Sequence, residues 1–136
     1  MNTLSSAPFH PVSRQLRVLV AEDNPINQRI VTGMLKTLGH TGVIVSDGEK
    51  ALKCLHKLPF DLVLMDVMMP LMDGLEAVAA IRAEERVTGE HLPIIMATAH
   101  TEPDDATRFK RAGADGYLAK PLVLNELSAE IRRVVK

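Results

Sequence analysis

Five polar side chains in this sequence, Glu22, Asp23, Asp66, Thr98 and Lys120, are of the types that together handle phosphate beside a metal ion. Three carboxylates brought into one place repel, and at neutral pH they all stay ionised only when a cation or a buried base offsets them. A hard divalent ion meets that need. Magnesium takes octahedral oxygen ligands, keeps several waters, and is held by one or two carboxylates plus phosphate; manganese could take its place. A carboxylate oxygen of Asp66 is then free to attack phosphorus in line and form an aspartyl phosphate. The Lys120 ammonium can neutralise charge on the equatorial oxygens in the transition state, where positioning and electrostatics supply most of the rate. Thr98 can donate a hydrogen bond to the phosphoryl oxygen of the product.

These residues are scattered along the chain, so only a fold that returns repeatedly to one edge can gather them. From Leu16 onward, short apolar runs alternate with stretches of helical period, the pattern of repeated βα units around a parallel sheet. The first strand is predicted over residues 17–21, where Val18, Leu19 and Val20 form the continuous apolar run of a strand covered on both faces. Asn24 is placed to cap a helix with Pro25 at its first position. Ile30, Met34, Leu35 and Leu38 share one face of that helix, and Gly39 ends it in a left-handed conformation.

Further strands are predicted over 41–45, 62–65, 94–97 and 117–119. Further helices are predicted over 48–57, 75–85, 104–112 and from 123 or 124 to 135. Ala51, Leu52 and Leu55 turn inward on the second helix, and Gly113 and Gly116 bracket the turn into the last strand. In an open parallel sheet, ligands bind outside the carboxyl ends of the strands, near the point where strand order reverses. Every candidate lies at such an end: Glu22 and Asp23 after the first strand, Asp66 after the third, Thr98 after the fourth, Lys120 after the fifth.

Size and charge narrow the class. The 136 residues, 46% of them hydrophobic, suffice for one domain with one core. A net charge of −1, from 16 basic and 17 acidic residues, gives no field to draw the chain onto nucleic acid or an anionic membrane. The single Cys54 rules out an internal disulfide, and no secretory or membrane-spanning run stands out, so a reducing cytoplasm is expected. Residues 1–15 mix Ser, Pro, Asn and His without a period and are expected to form a flexible tail or linker remnant, leaving 16–136 as the domain.

Four segments, in order and at the right strand ends, carry a resemblance. They are Val20-Ala21-Glu22-Asp23-Asn24, the stretch from Leu64 through Asp66 and Pro70 to Asp73-Gly74, the hydroxyl in Met96-Ala97-Thr98-Ala99, and the stretch from Gly113 to Lys120-Pro121. From Leu16 to its end the chain resembles the receiver domain of two-component response regulators and hybrid histidine kinases, a flavodoxin-like (βα)5 fold with helices on both faces of a five-stranded parallel sheet. The resemblance implies that Asp66 is the phosphoacceptor and that Glu22, Asp23, Asp66 and the main-chain carbonyl of Met68 hold magnesium. It further implies that Lys120 binds phosphate and that Thr98 and Tyr117 form a switch pair, and the bond matching Lys120-Pro121 is often cis in relatives. A histidine kinase or histidine phosphotransfer protein is then the phosphoryl donor. No contact with nucleic acid and no direct contact with a membrane is expected.

Departures from the pattern are small. Glu22-Asp23 stands where many relatives have two aspartates, which lengthens one arm without removing charge. Met68 and His100 stand where relatives flank the attacking water; Met68 cannot position that water, whereas His100 has the chemistry to do so. The run from Glu22 to Asn27 is similar to receivers carried by hybrid histidine kinases. A free-standing single-domain regulator and a module that takes no phosphate are the alternatives. A hydrolase of the aspartyl-nucleophile phosphatase type also shares the chemistry, but it needs a second acid where Met68 stands. Catalysis of its own phosphorylation and dephosphorylation is the only activity expected of the domain itself.

The remaining candidates carry ordinary readings. Cys54 is a small core hydrophobe beside Leu55, and His40, His56 and His91 have no metal-ligand spacing. His10 lies in the predicted tail and is a poor relay histidine. Met65, Met68, Met69 and Met72 are expected to pack the acceptor loop and its helix.

Overall fold

The computed structural model describes residues 14–99 and 102–135. Five strands, β1 (Arg17–Ala21), β2 (Thr41–Val45), β3 (Leu62–Asp66), β4 (Ile94–Thr98) and β5 (Gly116–Ala119), alternate with five helices. These are α1 (Pro25–Thr37), α2 (Gly48–Lys57), α3 (Gly74–Thr88), α4 (Asp105–Ala112) and α5 (Leu124–Val134). The sheet is wholly parallel in the order β2-β1-β3-β4-β5, which is the flavodoxin-like (βα)5 arrangement with its reversal between β1 and β3. Of the predicted tail, residues 1–13, His10 among them, lie outside the described residues, as does His100.

Strand alternation sorts the core into two faces. Val18, Val20, Leu62, Leu64 and Ile95 pack with Val31 and Leu35 of α1 and Leu127 and Ile131 of α5. Leu19, Val63, Met65, Ile94 and Met96 pack on the other side with Ala51, Ala77, Val78, Ile81 and Phe109 from α2, α3 and α4. A strand covered on both faces needs no polar row, and β1 accordingly is apolar from Val18 to Ala21, while β3 and β4 run apolar until Asp66 and Thr98.

Local chemistry sets the helix ends. The Asn24 side chain accepts from the N–H groups of Ile26 and Asn27, with Pro25 opening α1; such a cap contributes about 1 kcal/mol. Asp73 and Glu76 form a reciprocal capping box at the start of α3. Gly39, Gly89 and Gly113 follow α1, α3 and α4 with positive φ. Two expectations about packing are corrected. Ile30 is 46% exposed, because the buried stripe of α1 centres on Val31 and Leu35 and leaves residue 30 at its edge. Met68 is 69% exposed and belongs to neither core cluster, whereas Met65 is buried and Met69 and Met72 sit against the second one.

Far from the carboxyl ends of the strands, Arg82 ties α3 to its surroundings. Its guanidinium donates to the carbonyls of Gly113 and Leu92 and pairs with Glu85 and Asp115. Arg14, placed in the tail by sequence, pairs with Asp61 at 2.9 Å. Leu16, wholly buried, donates its N–H to Nδ1 of His40 at 3.0 Å. His40 is itself buried, and its ring fastens the entry of β1 to the turn before β2.

This contact requires an unprotonated Nδ1. Burial pulls the His40 pKa below its ordinary 6.5, with the charge of Asp61 opposing. Above pH 6.5 neither state takes up the proton; below it the unfolded chain does so first, so stability falls as pH drops from there through the folded value. Urea unfolding at about pH 7.5 and about pH 5.5 should show the wild type losing roughly 1 kcal/mol more than His40→Gln, the worth of one hydrogen bond. Equal losses in the two proteins would remove His40 as the cause.

Candidate functional site

The strand ends on either side of the reversal bring the acids together. Glu22 follows β1 and Asp66 closes β3, and both extend the strand rows that face α1 and α5. Asp23 stands next to Glu22 and is exposed, whereas Glu22 and Asp66 are 4% and 6% exposed. One carboxylate oxygen from each of the three lies within 4.8 Å of the others. All the donors are hard oxygens, the set that suits magnesium or calcium and not a thiophilic metal. Among the described residues this is the one acidic or His/Cys cluster with ligand geometry.

Lys120 enters from the end of β5. Its Nζ lies 2.6 Å from Oε1 of Glu22 and 3.1 Å from Oδ2 of Asp66, so a single ammonium bridges two buried carboxylates. Burial pulls its pKa down, but the hydrogen bonds to Glu22 and Asp66 and their charges together outweigh that, holding it above the ordinary lysine value. The carboxyl of Asp66 is pushed up, chiefly by burial and further by the charge of Glu22. The hydrogen bond and charge of Lys120 and the Met68 N–H oppose this without cancelling it. One lysine therefore underneutralises the site, and a second cation would complete it.

Glu22 is held by more than Lys120. Its other carboxylate oxygen accepts from Asn24 N–H at 3.0 Å, and its carbonyl accepts from the Gln28 side chain at 2.6 Å. Gln28 did not stand out in the sequence; its place six residues after Glu22, on the inner turn of α1, was the available signal. The Lys120–Pro121 peptide is cis, in keeping with the resemblance.

Thr98, 4% exposed, closes β4 beside Ala119 in the register. Its carbonyl accepts from Lys120 N–H at 2.7 Å, which ties the two strand ends together. Asp66 pairs with Ala97 on the same strand, so Thr98 is one residue beyond the neighbour of Asp66. Tyr117 is not in the cluster. It lies two residues before Ala119 and is 37% exposed, its ring edge-on to Phe109 of α4 with centroids 5.6 Å apart. Met68 follows in the loop after β3, with its side chain in solvent.

A family model described as the response regulator receiver domain matches residues 18–132. The chain is 41% identical over 111 residues to hybrid signal transduction histidine kinase I of Dictyostelium discoideum, covering 78% of this chain and 6% of the relative. It is 34% identical over 120 residues to the chemotaxis protein CheY of Pseudomonas aeruginosa, covering 88% of this chain and 95% of the relative. Among solved structures, the receiver domain of a P. aeruginosa sensor histidine kinase has a magnesium ion coordinated in its active-site cleft. It superposes with a TM-score of 0.78 at 36% identity over 89% of this chain and 98% of that one. The chain spans only 6% to 13% of the length of the histidine kinases it matches first.

Removing Lys120 leaves two buried carboxylates facing each other without their counter-charge. Lys120→Ala should lower stability by roughly 3 kcal/mol in metal-free buffer, and added magnesium should recover much of that loss. Thermal unfolding with and without magnesium measures both; a loss that magnesium does not touch would mean that no cation binds between these acids.

Proposed function

The chain belongs to the response regulator receiver domain family of two-component signalling, and on that premise we propose that Asp66 is its phosphoacceptor. The bridge from Lys120 to both Glu22 and Asp66 carries this reading, because it joins three strand ends into one pocket that still lacks positive charge. Magnesium is the cation of choice, held by Glu22, Asp23, Asp66 and the Met68 carbonyl; the all-oxygen donor set fits it, and manganese shares the same chemistry. When bound, it supplies positive charge to the phosphoryl oxygens.

An oxygen of Asp66 attacks the phosphorus of a phosphohistidine on a histidine kinase or phosphotransfer protein. The new O–P bond forms as the N–P bond breaks, and the electron pair returns to the imidazole nitrogen. The phosphoryl group brings more negative charge than the Asp66 carboxylate it caps, so the product depends on Lys120 and the bound cation for its counter-charge. Lys120, already 3.1 Å from Asp66, needs only to shift its hydrogen bond from the carboxylate to a phosphoryl oxygen. Thr98 donates to the same group. Tyr117, half-exposed against Phe109, is the companion that changes packing on the face of α4, β5 and α5 as the populations of two states shift.

The relatives of similar sequence include histidine kinases of Pseudomonas and Arabidopsis and hybrid signal transduction proteins of Dictyostelium, which supports a place within a hybrid sensor histidine kinase. The coverage of nearly all of a CheY protein supports a second reading, a single-domain regulator in the cytoplasm. No helix among the described residues is long and apolar enough to cross a membrane. A general phosphatase is disfavoured because Met68 offers no proton to a leaving group.

Incubation with magnesium and a small acyl phosphate, followed by intact-mass measurement, should add one phosphoryl group to the wild type and none to Asp66→Asn. Both proteins should show the same far-UV circular dichroism. A labelled Asp66→Asn protein would move the acceptor elsewhere.

A further inference from the structure

We infer that Gly48, the first residue of α2 and outside the polar cluster, is a positioning residue for the loop that carries the acceptor site. The functional half of this inference rests on the reading that Asp66 and the Met68 carbonyl hold the cation.

Residues 67–73 connect β3 to α3 and include Met68. Two main-chain contacts pin this loop near its ends, Val67 N–H donating to Ala97 at 3.0 Å and Gly74 N–H to Val67 at 2.9 Å, and within it Met72 N–H donates to Pro70 at 2.7 Å, closing a tight turn around Leu71. Between them Leu71 sits at φ 67, a left-handed conformation that costs a branched side chain of this size and persists only when its surroundings hold it. Leu71 is 78% exposed, so its own side chain does not supply that hold. The Pro70–Met72 bond closes the turn locally, and α2 holds it from outside the loop. Gly48 N–H donates to the Met72 carbonyl at 3.1 Å.

The approach is so close that a β-carbon at residue 48 would lie 2.7 Å from the Met72 oxygen and 3.0 to 3.1 Å from the Met72 side chain. The nearest atom is main chain, so no rotamer change relieves the overlap; the loop or the helix must move. Asp47, 3% exposed, fixes α2 in turn: its side chain accepts from Lys50 N–H at 2.9 Å and caps the helix. At the loop's far end a β-carbon on Gly74 would fall onto the Asp66 carbonyl. The loop is thus seated against two glycines, one of which lies in a different βα unit from Asp66.

The test compares metal-free amide NMR shifts, magnesium affinity by calorimetry and labelling rate by intact mass. In Gly48→Ala, the amides of residues 67–73 should shift, and magnesium affinity should fall on the order of tenfold, as for other residues that orient metal ligands. Labelling should slow in parallel. Gly33→Ala, with nothing within 4 Å of the added carbon, should match the wild type in all three. Ile131→Val, a core truncation at the far end of α5, should lower the unfolding temperature yet leave magnesium affinity intact.

Asp47→Ala keeps residue 48 as glycine but removes the cap, and should weaken magnesium binding; Asp47→Asn, a cap without charge, should restore it. These two decide the matter if Gly48→Ala does not fold. Unmoved loop amides in Gly48→Ala, or wild-type affinity in both Gly48→Ala and Asp47→Ala, would overturn the inference. A wild type that binds no magnesium and takes no label would instead refute the acceptor reading, while the amide shifts still judge whether Gly48 seats the loop.

Discussion

The site depends on the balance of charge where β1 and β3 end. Two carboxylates that are almost wholly buried, with a third beside them, would not remain together in a folded protein without positive charge close by. Lys120 provides it at hydrogen-bond distance, crossing from β5 past β4 to reach both Glu22 and Asp66. That reach requires β4 and β5 to end in register, and the Lys120 N–H bond to the Thr98 carbonyl supplies the tie. The ammonium holds the pocket together without neutralising three carboxylates, the condition under which a divalent cation gains most from binding.

The two-faced sheet explains how polar residues come to be buried here. The central strands β3 and β4 are apolar and buried until Asp66 and Thr98, and β1 and β5 pass directly into Glu22 and Lys120. Glu22, Asp66 and Lys120 continue the rows that face α1 and α5, so their side chains meet on one side of the sheet edge. Thr98 and Tyr117 continue the rows that face α2, α3 and α4, where Tyr117 meets Phe109. Thr98, bonded through its carbonyl to Lys120, stands between the Asp66 side of the sheet edge and the α4 face. The opposite edge is braced by Arg82 and by the clamp of Arg14, Leu16, His40 and Asp61. Adjustment is therefore easiest near the loops that carry the chemistry.

The order of elements was plain in the sequence, because Val18-Leu19-Val20, Leu62-Val63-Leu64-Met65 and Ile94-Ile95-Met96 are runs that only a strand buried on both faces uses, and Asn24-Pro25 and Gly39 mark a helix at both ends. The boundaries agreed to within a few residues, α3 differing most by continuing to Thr88 before Gly89 ends it. The candidate residues were legible for the same reason: a carboxylate or lysine that follows an apolar run at a strand end has one place to be. Burial on the surface of α1 was less legible, since Ile30 and Val31 are both apolar and a turn of 100° separates an edge position from a central one.

The sequence by itself determined the five βα units, their helical caps and the identity of the polar groups at the strand ends, all of which follow from local pattern and from chain order. Only the tertiary structure decided which partners those groups have: that Lys120 bonds Glu22 as well as Asp66, that Gln28 and Asn24 hold Glu22, and that Tyr117 rests on Phe109. The same is true of Gly48, whose importance comes from a carbonyl twenty-four residues away. Periodicity encodes direction, inward or outward, whereas contact distances depend on how separate elements dock, and that is settled by packing across the whole sheet.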